Sequence, residues 1–202
     1  MLGLYSVAFI SGNSLELMNY KIILSTLLSL STLACSELPT STPASQTIDR
    51  FEVQNEVVVD TRSNLMWSRC LLGETWNGNT CEGKAKSYGW QKAQEVAKNA
   101  SHAGFNDWRI PTLEELKLLA DKETDVPMVK IPHINQTVFP TPNCQGATRS
   151  ASNHDGHSCW QWSTTPIKDS GHYMWIVYFG YGYGSANYEA DMFALRLVRN
   201  NR

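Results

Sequence analysis

Apolar residues fall along this chain in three rhythms. The first is a nearly continuous run. Residues 22–33 (IILSTLLSLSTL) follow Lys21 and lead into Ala34-Cys35. Twelve residues are too few to cross a bilayer as a helix, which takes about 20. A basic start, a short apolar centre and a small residue before a break make a secretory signal. The cysteine directly after the small residue makes it similar to a lipoprotein signal over 18–35, with cleavage before Cys35 and lipid on its thiol. Thr32 stands where such signals usually have Leu, so an ordinary secretory signal is the alternative. Residues 1–17 hold no lysine or arginine, which makes Met18 the expected start. Residues 36–47 show no period and consist largely of Ser, Thr, Pro and Ala. They read as an extended, solvated tether.

The second rhythm has the period of a strand. Residues 51–53 and 56–59, then 65–67 after the polar DTRSN, predict a β-hairpin with Asn64 left-handed in its turn. The third rhythm is helical. Trp90, Ala93, Ala97 and Ala100 share one face over 90–100, and Leu113, Leu116 and Ala120 share one over 113–121. Between them lies a short strand, 108–110, ended by Pro111. Thr112 and Glu115 form a capping box at the second helix. Over 122–158 the rhythm is lost among Pro, Asn and Gly, as in segments that are functional or cross-linked. Strands return at 159–163, 173–179 and 192–198, with 180–191 (GYGYGSANYEAD) as a wide loop. The expected class is α+β with a mainly antiparallel sheet, in one domain over 48–202.

Composition narrows the function. Seventeen Lys and Arg against 19 Asp and Glu give a net charge of −2, which argues against nucleic acid as partner. Once Cys35 is set aside for lipid, Cys70, Cys81, Cys144 and Cys159 remain. Four cysteines allow three pairings. Cys70 with Cys81 and Cys144 with Cys159 would each staple one polar loop, in keeping with export. Their spacings do not suit a structural zinc.

The segments VVVDTRSNLMWSRC, NDWRIPTLEEL, INQTVFP, WSTTP and ALRLVR occur in that order. Together they resemble the Lcl C-terminal domain family of bacterial exported proteins, over nearly all of 48–199. WRIPTLEEL and ALRLVR are also similar to formylglycine-generating-enzyme-like domains, whose fold is C-type-lectin-like. The resemblance implies a lectin-like module with close termini, long disulfide-stapled loops, and Trp67, Trp108, Arg109, Thr112, Glu115 and Arg196 in structural roles. Members include adhesin domains that bind sulfated glycosaminoglycans. The chain is therefore expected to bind a glycan or an envelope protein. A periplasmic structural lipoprotein that binds another protein is the runner-up.

Catalysis is not expected. The late cysteines of the formylglycine enzymes are missing, since none follows Cys159, and Gly-x-Ser-x-Gly and the helical zinc motif do not occur. His154, Asp155 and His157 sit in a Gly/Ser-rich loop and read as solvated rather than as metal ligands. The sugar-binding triplets of calcium-dependent lectins are absent, and no cofactor is implied. What remains is 180–191, where Tyr181, Tyr183, Asn187 and Tyr188 combine rigid aromatic area with adaptable hydrogen bonding, the chemistry of recognition loops. The tyrosines could instead pack on Trp160, Trp162 or Trp175.

Lipidation predicts outer-membrane sorting in a diderm host, since Ser36 and not Asp follows the cysteine. Metabolic labelling with a palmitate analogue should mark the wild-type chain and leave Cys35→Ser unmarked and released from membranes. An unlabelled wild type would overturn the anchor.

Overall fold

The run VVV at 57–59 is buried on both faces, as a strand covered on each side must be. It forms the centre of the first of two five-stranded sheets. The computed structural model describes residues 45–120, 133–144 and 157–202. Cys35 and its signal, and His154 and Asp155, lie outside the described residues. The described strands are β1 (Gln46–Ile48), β2 (Phe51–Gln54), β3 (Val57–Asp60), β4 (Leu65–Ser68), β5 (Glu74–Trp76), β6 (Cys81–Gly83) and β7 (Ser87–Tyr88). After helices α1 (Trp90–Lys98) and α2 (Leu113–Leu119) come β8 (Trp160–Pro166), β9 (Tyr173–Tyr178), β10 (Tyr183–Tyr188), β11 (Phe193–Ala194) and β12 (Val198–Asn200).

Sheet one has the order β1-β2-β3-β4-β12 and is antiparallel throughout. The chain's last strand thus returns to the sheet that its first strands build. Asn64, in the turn between β3 and β4, has φ 53°, the left-handed conformation that the turn requires. A cross-strand row runs Val53, Val58, Trp67, Val198 and continues to Arg109 through an isolated bridge. The 108–110 segment is therefore one bridge on the edge of β12 and not a full strand. Trp67, central in that row, is fully buried.

Sheet two has the order β10-β9-β8-β11-β7, antiparallel except for one parallel contact between β11 and β8. Both helices lie against it. Trp90 of α1 meets Trp162 of β8 at 5.6 Å between ring centroids, and Trp162 donates its indole N–H to Tyr88 O. Thr112 caps α2 reciprocally with Glu115, and Leu113, Leu116 and Leu119 are its buried stripe. The helix stops at Leu119, so Ala120 is its cap, half-buried but still packed against the core.

Two expectations fail here, for one reason: sheet hydrogen bonding overrides local composition. The glycine-rich 180–191 segment is not a loop, because residues 183–188 pair with 173–178 in full antiparallel register. The run 192–198 is not one strand. Phe193 and Ala194 belong to sheet two and Val198 to sheet one, and 195–197 crosses between them.

Arg196 holds that crossing. It is fully buried, and its Nη1 donates to Ser68 O (2.9 Å) and Arg69 O (2.6 Å). Its guanidinium lies 5.0 Å from the Phe139 ring centroid. Burial pushes its pKa down to about 10 while the Glu74 charge opposes the shift, so it stays cationic at neutral pH. Arg69, itself buried, uses the same device, donating to the carbonyls of Asn55, Thr137 and Val138. Both cysteine pairs are local: Cys70–Cys81 closes over β5 and β6, and Cys144–Cys159 joins two short 3₁₀ turns. Loops of this length each add about 3 kcal/mol in the chain-entropy account.

Removing the Arg196 side chain would leave buried carbonyls unbonded and Glu74 without its nearby charge. Arg196→Ala should cost more than about 3 kcal/mol in urea unfolding. An unchanged midpoint would show that the crossing is held by other contacts.

Candidate functional site

The hairpin of β9 and β10 carries the tyrosines singled out from sequence, and its two ends differ. At the turn end Tyr178 is fully buried and stacks on Trp160 with centroids 4.0 Å apart. Tyr181 and Tyr183 lean on Tyr178 at 5.4 and 5.7 Å, which makes them half-buried extensions of the core. Farther along, a Cβ on Gly184 would come within 3.2 Å of Leu113 Cδ1, so glycine lets β10 lie close against α2.

Strand alternation then separates the expected ligand residues. Tyr183, Ser185 and Asn187 share one face of β10, while Gly184, Ala186 and Tyr188 share the other. Tyr183 and Tyr188 are also about 17 Å apart along the strand, at roughly 3.4 Å per residue. Tyr181, Tyr183, Asn187 and Tyr188 therefore do not form one recognition surface, because the segment is a strand with period two. Asn187 offers no open amide N–H either, since its Nδ2 is buried.

Tyr188 belongs to a different group. It is cross-strand partner to Tyr173, and the two rings meet edge to face at 5.5 Å. Both are unusually exposed for large rings, at 43% and 45%. The His172 ring lies 6.0 Å from Tyr188, and its Nδ1 is 3.0 Å from Glu189 Oε1. Asp191 closes the hairpin end: its Oδ2 accepts from the Tyr188 N–H, and its own N–H donates to Tyr188 O. Glu189 O accepts from the Trp90 N–H, which fixes α1 against this end of β10. A cleft of about 360 Å³ opens there, lined by Gly89, Trp90, Gln91, Lys92, Glu189 and Ala190. The Lys92 ammonium is held by Glu95 at 2.8 Å.

Sequence reading singled out Tyr188 and not its neighbours Tyr173, His172 and Glu189. The available signal was hairpin counting: starting from the GYGYG turn, Tyr173 falls opposite Tyr188. A smaller cavity of about 170 Å³ is lined in part by Glu56, Glu74, Trp76 and His102. Its Glu74 accepts from the Leu71 N–H and faces buried Arg196. Among the described residues no three His, Cys, Asp or Glu side chains gather to hold a metal ion.

The signature residues sit in load paths of the fold. Trp108 is buried and donates its indole N–H to His102 O at 3.0 Å. Arg109 makes a bidentate pair with Glu115, at 2.7 and 2.6 Å, and the same carboxylate accepts from the Thr112 N–H. The Arg109 side chain is 41% exposed, so the pair is half-buried and screened by solvent. Arg199 pairs with Asp107 in the same region.

Burial alone would raise the Glu115 pKa. The Arg109 hydrogen bonds, the Thr112 amide and the Arg109 charge outweigh burial and hold the carboxyl below its ordinary 4.5. A depressed carboxyl contributes stability above its unfolded pKa and loses it as pH falls through the folded value. The folded state should therefore weaken as pH drops below about 4.5, and Glu115→Gln should flatten that slope in acid-titrated melts. Solvent screening limits the cost of Arg109→Ala at neutral pH to about 1 kcal/mol. An identical acid slope in Glu115→Gln would remove this pair from the acid response.

A model of the Lcl C-terminal domain matches residues 56–199. No curated protein matches the chain. The matched span runs from the turn before β3 into β12, and so takes in sheet two, both helices and the β3, β4 and β12 part of sheet one, while β1 and β2 precede it. Over that span the chain belongs to the Lcl C-terminal domain family.

Proposed function

We propose that the chain is an exported, lipid-anchored binding module of the outer membrane, adhesin-like in action and C-type-lectin-like in fold. It holds its ligand against the Tyr173–Tyr188 pair. The observation that carries this reading is two large aromatic rings, each more than two-fifths exposed, set edge to face on a rigid hairpin. Tyrosine gives wide contact area for little lost side-chain entropy, which makes it a frequent hot spot of recognition.

Other features agree with the reading. Two local disulfides suit an oxidising compartment. The return of β12 to the sheet of β1–β4 supports a lectin-like closure, with recognition carried by the other sheet.

Arrays of glycans and of purified envelope proteins, probed with the wild-type protein, would identify a ligand. The double variant Tyr173→Ala, Tyr188→Ala should then bind at least tenfold more weakly, which corresponds to about 1.4 kcal/mol. Its melting temperature should stay near wild type. Tyr181→Ala with Tyr183→Ala should do the reverse, melting earlier and binding normally. A Tyr173/Tyr188 variant that binds like wild type would overturn the site.

A further inference from the structure

We infer that the free edge of β10 pairs with the same edge of a second copy of this chain, antiparallel about a two-fold axis through Ser185. This contact stands apart from whatever the tyrosine pair binds.

The hydrogen bonds fix which groups that edge presents. The Glu189 N–H donates to His172 O, so the odd-numbered residues of β10 turn their amides and carbonyls towards β9. The even-numbered residues turn theirs outward. Those of Tyr188 are taken by Asp191. Gly184 and Ala186 remain. Because β10 ends sheet two, no strand among the described residues pairs with their outward groups.

Sheet edges are normally blunted by shortness, charge, proline or a bulge. Among the other sheet ends, β7 has two residues and β1 has three, and the β12 edge takes the Arg109 bridge. β10 has six residues in unbroken register, with no charge and no proline.

The composition of the strand suits a second copy of itself. Turning YGSANY about Ser185 sets Gly184 opposite Ala186 of the partner subunit, and Ala186 opposite Gly184 of the partner subunit. These two pairs exchange four main-chain hydrogen bonds, and no side chain in them is larger than a methyl group. Tyr183 falls opposite Asn187 of the partner subunit. Like charges directly opposite would oppose pairing, and the strand has none. A foreign peptide added to an edge is selected instead through pockets for its alternate side chains. The cleft beside α1 opens beyond Glu189, past the end of this edge and not along it. Pairing also sets Gly182 of the partner subunit opposite Tyr188, so each tyrosine pair adjoins the turn of the other copy.

The test is disulfide trapping on cells that express the full chain. Ser185→Cys puts two thiols in a non-hydrogen-bonded pair with Cα atoms about 4.5 Å apart, within the span of a disulfide. Under copper phenanthroline it should run as a dimer on a non-reducing gel. Tyr188 is more exposed than Ser185, yet in this pairing it lies about 20 Å from its own copy, at roughly 3.4 Å per residue. Tyr188→Cys should therefore stay monomeric. In the Ser185→Cys background, Ala186→Pro removes an outward N–H that β9 does not use. It should cut the dimer yield at least tenfold and leave the melting temperature near that of its parent. Ala186→Lys, which keeps that N–H and sets a charge on the edge, should do the same. A Ser185→Cys chain that stays monomeric would overturn the pairing, whether or not its thiol reacts with a maleimide. Equal dimer yields from Ser185→Cys and Tyr188→Cys, or a yield that neither Ala186 variant lowers, would mark chance collision and overturn it as well.

Discussion

The fold turns on a buried guanidinium. Arg196 sits where the chain leaves sheet two and enters sheet one, a place where backbone would otherwise be buried without strand partners. It donates to the carbonyls of Ser68 and Arg69 and so ties the crossing to the end of β4. A burial cost of several kcal/mol for such a charge is offset only when its geometry is good and an opposite charge is near. Glu74 supplies that charge, on the strand that opens the Cys70–Cys81 loop. The crossing, the first disulfide and the edge of sheet one are thereby one mechanical unit.

Arginine performs related work elsewhere in the domain. Arg69 gathers carbonyls from Asn55, Thr137 and Val138, so the irregular 133–144 segment is pinned to the β2–β3 turn without a ladder of its own. Arg109 joins β12's outer edge to the first turn of α2 through Glu115. Arginine suits these tasks because its five donors form a fixed planar fork and its charge persists on burial. The aromatic residues fill the volume between these ties. Trp160, Tyr178, Phe193 and Trp162 form a connected stack inside sheet two, and Tyr181 and Tyr183 cap one end of it.

The rigidity at one end of the β9–β10 hairpin serves the other end. Tyr181 and Tyr183 are consumed in anchoring the turn, and Gly184 draws the strand against α2. The strand therefore arrives at Tyr188 with its register fixed, and Asp191 closes the end by bonding the Tyr188 amide. Tyr173 and Tyr188 are left as an exposed pair on a backbone that need not reorganise. Pre-organisation of this kind lowers the entropic cost of binding.

Sequence alone determined the local structure. The VVV run, the left-handed Asn64, the Trp90/Ala93/Ala97 stripe and the Thr112–Glu115 box each follow from interactions within a few residues, and each appears as read. Near-neighbour cysteine pairing was legible for the same reason, since short polar loops close at small entropic cost. Tertiary structure decided what depends on distant partners. Glycine and tyrosine at 180–188 have loop composition, but the facing strand at 173–178 supplies a ladder that makes them a strand. The 192–198 run reads as one strand, yet carbonyls more than a hundred residues earlier bind Arg196 and split it between two sheets. The candidate site shows the same division. The sequence named Tyr188 by its chemistry, and counting back across the GYGYG turn puts Tyr173 opposite it, whereas the cleft beside α1 joins them only through helix docking, which no local pattern encodes.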